Sequence, residues 1–198
     1  MKSFIYQNPD SLTPEFCIKV IDLFEKSKQY QYQEDMGKKC IVDLSRKDAI
    51  DLSITKCGEQ EWIDIKQHLI KELEKHIFLW SNKLDPENNI FMLEKVHKKK
   101  SYMDFLLRKY EKNIGNFTYH NDYDFDHKTN KCRILNYLWY LNDIAEGGET
   151  EFFGNYIIKP KQGQIILFPS DWTFPHTEKI PISNDKYVIA GWVYIDKD

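Results

Sequence analysis

Apolar positions along this chain recur first with the period of helices and then, past residue 90, with the period of strands. The first helical pattern is Phe16, Val20, Leu23 and Phe24. It predicts a helix from Pro14 to about Lys28, with Thr13 as N-cap, Pro14 at the first helical position and Leu12 stapled onto Cys17. Residues 1–10 read as a short strand running into a turn at Asn8-Pro9-Asp10, and residues 29–39 as a polar loop. Ile50, Leu52 and Ile54 alternate with other residues, which predicts a half-buried strand over 49–54. The longest helical pattern is Trp62, Ile65, Leu69, Leu73, Ile77 and Trp80. It predicts a helix over 59–83, broken by Asp85-Pro86-Glu87-Asn88-Asn89. His68 and His76 lie on it two turns apart, too far to share a metal, and read as structural or surface histidines.

Strand signals then fill 104–111, 116–123, 133–141, 149–153, 156–159, 164–168 and 186–195, separated by turn clusters such as Glu146-Gly147-Gly148 and Pro160-Lys161-Gln162-Gly163. Two helices followed by seven or so strands predict an α+β chain. The strand half, about 90–198, is the right size for a double-stranded β-helix, the cupin-like jelly roll. The helical part, about 1–89, is expected to pack on one of its sheets and leave the mouth of the roll open. No repeat or low-complexity linker divides the chain, so 1–198 reads as a single domain.

Composition narrows the function more than the fold. A net charge of −3 gives no general pull toward nucleic acid or an anionic membrane, and neither is expected as a partner. The one sharply basic run, Lys98-Lys99-Lys100, reads as a solvated turn. Cys17, Cys40, Cys57 and Cys132 are scattered without a Cys-x-x-Cys pair, which argues against a zinc ribbon or a disulfide framework. Reduced thiols in a cytoplasmic setting are the simplest account. The first residues lack the apolar run of a signal peptide, no segment reaches the length of a membrane span, and the last residues carry no anchoring signal.

The candidate chemistry begins at Tyr119-His120-Asn121-Asp122. Residues two apart in a strand share a face, so His120 and Asp122 present an imidazole and a carboxylate side by side. With His176 from a distant strand they form two His and one carboxylate, a facial set that suits non-haem Fe(II) with open positions. Alone, His-x-Asp is a weak signal that solvated loop residues also produce. Lys186 opens the last strand and shares its face with Val188, Ala190, Trp192 and Tyr194. An ammonium facing an apolar interior needs an anionic partner, either a carboxylate of this chain or a carboxylate ligand.

Taken together, Tyr119-His120-Asn121-Asp122, the run from Arg133 to Asn142, Glu146-Gly147-Gly148-Glu149-Thr150-Glu151-Phe152, the stretch from Pro160 to Phe168, His176, and Lys186-Tyr187 through Trp192 resemble the Fe(II)/2-oxoglutarate-dependent dioxygenases. Within that superfamily they look most like the prolyl 4-hydroxylase branch. The likeness covers about 105–195, and the helix over 11–25 also resembles the one that opens this branch. The resemblance implies His120, Asp122 and His176 as iron ligands and Lys186 as the partner of the distal carboxylate of 2-oxoglutarate. It places Tyr110, Thr150, Trp192 and Tyr140 around that cosubstrate. It implies Fe(II), 2-oxoglutarate and O2, with ascorbate as reductant, and release of succinate and CO2 as an aliphatic C–H is hydroxylated. The expected substrate is a prolyl residue in a peptide or protein. A free amino acid or other small metabolite is the alternative. A nucleic-acid demethylase of the same superfamily would show a second arginine and a basic groove; an inactive cupin-like binding module would not keep the whole His/Asp/His and Lys set. His127, in the acidic stretch after Asp122, is a rival ligand on paper, but no register puts it beside Asp122. Phe168, Trp172, Phe174 and Trp192 are expected to line a dry pocket, and 123–131 to act as a lid.

Overall fold

In the computed structural model, residues 2–33, 43–87, 100–102, 105–127 and 130–196 are described. In chain order they form β1 (Tyr6–Asn8), α1 (Pro14–Lys26), β2 (Lys47–Asp48), β3 (Ile50–Ser53), α2 (Gln60–Leu84), β4 (Lys100–Tyr102), β5 (Leu106–Tyr110) and β6 (Asn116–His120). There follow β7 (Phe125–Asp126), β8 (Lys131–Tyr140), β9 (Thr150–Phe152), β10 (Tyr156–Ile158), β11 (Ile165–Pro169), β12 (His176–Glu178) and β13 (Lys186–Asp196). The strands make two antiparallel sheets. The larger runs β1-β11-β8-β13-β5-β3, with β4 added on β13 and β7 on β8; the smaller runs β10-β9-β12-β6-β2. This is the jelly roll expected for the strand half.

Three layers result. Cys17, Val20 and Phe24 of α1 and Trp62, Ile65, Leu69, Leu73 and Ile77 of α2 pack on one face of the larger sheet, against Leu135, Tyr137, Trp139, Ile165, Leu167 and Ile189. The other face of that sheet meets the smaller sheet through Tyr110, Leu138, Tyr140, Ile166, Phe168 and Val188 against Phe152 and Ile158. The central strands are therefore buried on both faces, which is why β8 and β11 read as nearly unbroken apolar runs. The helices cover one sheet, as expected, but the first part of the chain does more than that. Its strands β1, β2 and β3 pair with β11, β6 and β5 and extend both sheets.

Local signals set the element ends. Thr13 Oγ1 accepts from the Phe16 backbone N–H at 3.2 Å, and Pro14 stands at the first helical position. Helix α1 stops at Lys26, earlier than expected, and a short 3-10 turn follows over Lys28–Tyr30. Gly163 has φ +80, and its carbonyl accepts from the N–H groups of Ser11 and Leu12. A Cβ there would stand 2.2 Å from the Leu12 carbonyl oxygen, so only glycine lets the turn before β11 sit against the entry to α1. Thr13→Ala is expected to lower stability by about 1 kcal/mol, measured as a shift of the urea midpoint. An unchanged midpoint would show that the cap does not hold α1.

Several expectations are corrected. The strand over 49–54 is not half-buried: Asp51 and Ser53 are as enclosed as Leu52. Asp51 survives there because it sits between two cations, 2.6 Å from Lys47 Nζ and 2.7 Å from Arg108 Nε. The strand expected over 116–123 ends at His120, so Asp122 lies just beyond it. Lys100 opens β4 rather than a turn, while 88–99 lie outside the described residues, as do 34–42 with most of the expected loop and Cys40. Within the expected lid, Phe125 and Asp126 pair with Cys132 and Lys131 to make a hairpin with β8; 128–129 are outside the described residues. His76 is structural, buried and bonded to Tyr6 Oη at 2.9 Å, and His68 is a surface histidine packed on Phe16. Cys17 is a buried thiol.

Candidate metal centre

The smaller sheet assembles the polar cluster. Antiparallel pairing of β6 with β12 sets His120 directly opposite His176, with ring centroids 4.2 Å apart. The chain then leaves β6, and Asp122 turns its carboxylate back toward both rings. Its oxygens lie 4.0 Å from His120 Nε2 and 3.4 Å from His176 Nε2. The potential ligand atoms of all three residues fall within 4.8 Å of one another, the only such group among the described residues. His127 is not part of it; exposed, its ring packs edge-on against Phe125.

Both imidazoles are aimed by the backbone. His120 Nδ1–H donates to the Thr118 carbonyl at 2.8 Å and His176 Nδ1–H to the Phe174 carbonyl at 3.1 Å. With Nδ1 protonated, each Nε2 keeps its lone pair for a metal. His120 also stacks on Phe117 at 3.6 Å. Burial, and after it the neighbouring His176, pull the His120 pKa down to about 3. The ring is thus neutral at any physiological pH, the state in which imidazole binds metal. Three ligands on one side and an open cleft on the other fit a divalent ion that must keep free positions.

The residues expected around a cosubstrate converge a little deeper. Lys186 is fully buried at the head of β13, opposite Tyr110 of β5 in the pairing register. Its Nζ stands 5.4 Å from the ring centres of both Tyr110 and Tyr140. Tyr140 Oη donates to Thr150 Oγ1 at 2.7 Å. Complete burial pulls the Lys186 pKa below its ordinary value, while a nearby anion opposes that shift. The anion is Glu178, which sequence reasoning did not single out. Lys186 Nζ bonds the Glu178 carboxylate and the Gly148 carbonyl, and Thr150 Oγ1 donates to both Glu178 oxygens at 2.9 Å. The available signal was spacing: Glu178 is two residues after His176 on the same short strand.

The cleft between these groups is lined by Arg108, Tyr110, Phe117, Asn136, Leu138 and Phe168 together with the cluster itself, Glu178 and Trp192. Trp192 reaches its wall with the Arg133 guanidinium stacked 3.9 Å from its ring centre. Of the other aromatics expected there, Phe174 is buried between the sheets and Trp172 is 73% exposed, pointing away to solvent. Tyr110 Oη and Asn136 Nδ2 are buried without a hydrogen-bond partner. Orphaned donors in a cleft are normally satisfied by something bound there, and a 2-oxo acid brings acceptor oxygens of the right kind. The donor set therefore fits both a divalent metal and a 2-oxo acid beside it.

Residues 105–194 match a family model described as the 2OG-Fe(II) oxygenase superfamily. The strand half of the chain therefore carries a 2OG-Fe(II) oxygenase domain. This oxygenase is accordingly an oxidoreductase of the dioxygenase kind, and its family chemistry uses Fe(II), 2-oxoglutarate and O2. No curated protein sequence matches it significantly. Solved structures share its fold at low identity. A viral collagen prolyl hydroxylase from Paramecium bursaria Chlorella virus-1, in complex with 2OG, is 18% identical with a TM-score of 0.65, over 97% of this chain and 96% of that one. A prolyl hydroxylase from Trichoplax adhaerens, in complex with a hypoxia-inducible-factor oxygen-degradation-domain peptide, is 16% identical with a TM-score of 0.72, over 98% of this chain and 84% of that one. A Pseudomonas putida prolyl-4-hydroxylase is 13% identical with a TM-score of 0.65, over 98% of this chain and 93% of that one.

Proposed function

We propose that this oxygenase hydroxylates a prolyl residue in a peptide or protein, releasing succinate and CO2. His120, Asp122 and His176 hold Fe(II), and the bound metal with its 2-oxo acid and O2 supplies the oxidising power for an unactivated C–H bond. The protein's own part is placement. The Thr118 and Phe174 carbonyls fix the two imidazoles, and the orphaned donors of Tyr110 and Asn136 take the oxygens of the 2-oxo acid. Lys186, Thr150 and, through Thr150, Tyr140 form the charged end of its subsite. Phe117, Leu138 and Phe168 keep the space between dry. The observation that carries the reading is the His120–Asp122–His176 cluster opening onto a cleft whose wall includes Glu178, the carboxylate bonded to the buried Lys186.

A polypeptide substrate is supported by the mouth of the site and by the fold. Tyr123, beside Asp122, is an exposed aromatic of the type that grips peptide chains. Three solved structures of like fold are prolyl hydroxylases, one of them bound to a peptide fragment. Ascorbate as reductant and a cytoplasmic location belong to the same reading, the second supported by the buried thiol of Cys17. Among the described residues no helix is long and apolar enough to cross a membrane.

The test is incubation of Fe(II)-loaded protein with 2-oxoglutarate, O2 and a panel of proline-containing peptides. Succinate formation and gain of one oxygen atom on proline, read by tandem mass spectrometry, are expected. Oxygen gained by free amino acids but by no peptide would overturn the peptide reading.

A further inference from the structure

Glu178 is the side chain at the centre of the site that the proposed chemistry does not require. Its carboxylate is buried, bonded to Lys186 Nζ and to Thr150 Oγ1. Those are the groups assigned above to the distal carboxylate of 2-oxoglutarate. Their capacity is limited: the Lys186 ammonium has three donors, one on Glu178 and one on the Gly148 carbonyl, and the single Thr150 proton is spent on Glu178. The backbone of Glu178 cannot withdraw, because β12 is paired on both sides, with Thr150 of β9 and with Phe117 of β6. A second carboxylate bound at Lys186 must therefore share it with Glu178, placing two anions together in a dry space, or drive the Glu178 side chain out of its bonds. A tail without charge meets neither obstacle. It needs only apolar surface, which Leu138, Phe168 and Ala190 provide along the same cleft.

We propose that Glu178 is a built-in occupant of the distal-carboxylate subsite. By holding Lys186 it lowers the affinity for 2-oxoglutarate and narrows the preference for it over 2-oxo acids with uncharged tails. This rests on the reading that a 2-oxo acid binds beside a metal at His120, Asp122 and His176, and it adds the residue that sets selectivity there.

The experiment uses Mn(II)-loaded protein without oxygen, titrated calorimetrically with 2-oxoglutarate and with 2-oxopentanoate, whose tail ends in a methyl group. Wild type is expected to bind the two acids within about tenfold of each other. Glu178→Gln and Glu178→Ala should each tighten 2-oxoglutarate by about tenfold or more while changing 2-oxopentanoate by less than about threefold. They should also show a larger rise in Tm on adding 2-oxoglutarate than wild type does. A wild-type preference for 2-oxoglutarate above about a hundredfold, or no gain in either variant, overturns the proposal. Should the variants fail to fold, the wild-type ratio decides alone. If neither acid binds any metal-loaded protein, the cosubstrate reading itself falls, an outcome distinct from unaltered selectivity.

Discussion

Asp122→Ala is expected to abolish stoichiometric Fe(II) binding, and succinate formation with it, while leaving the chain folded. Asp122 lies past the end of β6, and its carboxylate faces the two Nε2 atoms rather than the core. Removing it takes away the one charged member of the set and costs little packing. Loss of an outer partner of a metal ligand typically lowers affinity by about 10–100-fold; loss of one of three protein ligands should exceed the upper end of that range. His176→Ala should have the same effect on metal, but His176 is buried against Phe152 and Phe168, so some loss of stability accompanies it. Metal content after desalting, with circular dichroism as the control for folding, makes the measurement. If Asp122→Ala and His176→Ala both keep one Fe(II) per chain, the cluster is not the metal site and His127 becomes the next residue to replace.

The largest effect on stability is expected from Asp51→Ala. Asp51 is fully buried and neutralises Lys47 and Arg108, both nearly buried themselves. Removing it takes from two nearly buried cations the carboxylate that neutralises them, and breaking a buried pair from one side costs about 3–5 kcal/mol. That is a large part of the roughly 5–15 kcal/mol that holds a domain folded. Asp51→Asn keeps the hydrogen-bond acceptor and should cost less. Burial works against ionising Asp51, yet the charges of Arg108 and Lys47 outweigh it and hold the pKa below the ordinary carboxylate value. A lowered folded-state pKa means that this contribution is complete above the unfolded value of about 3.9. It is lost as pH falls through the folded value. Urea unfolding at neutral and acid pH should therefore show Asp51→Ala losing less than wild type as the pH drops. An Asp51→Ala midpoint equal to wild type at neutral pH would remove the triad from the account of stability.

What could be read from the sequence was whatever rests on periodicity or on a fixed spacing. The two amphipathic helices and the strand half follow from patterns that local geometry makes obligatory, whereas His176 joined His120 and Asp122 through the family resemblance. Lys186 was legible as a buried cation because alternation along β13 leaves it no exposed face. Its partner was not legible. Glu178 lies in a three-residue strand, with a register irregularity between it and His176 against β6, and so short an element leaves no period to follow. Asp51 misled for the opposite reason. Its alternation with Ile50 and Leu52 is real, but a polar residue in a strand signals solvent only when no buried cation answers it. Arg108 answers it from the neighbouring strand β5, at long range in sequence. Trp172 was assigned to the pocket on its chemistry alone, and nothing in residue type fixes the direction of a side chain in a loop.

The pairing of β1 with β11 also bears on how the chain reaches this structure. Tyr6, Gln7 and Asn8 are partnered by Leu167, Ile166 and Ile165. During synthesis, residues 6–8 emerge well before residues 165–167 and must wait for them before their hydrogen bonds can form. Until then the growing sheet presents a naked edge, the form of surface most prone to join the wrong neighbour. Closing a loop of that length before any contact rewards it slows folding. Refolding should accordingly end with the docking of the N-terminal strand, and crowding of partly made chains is the condition under which this oxygenase is most exposed to aggregation.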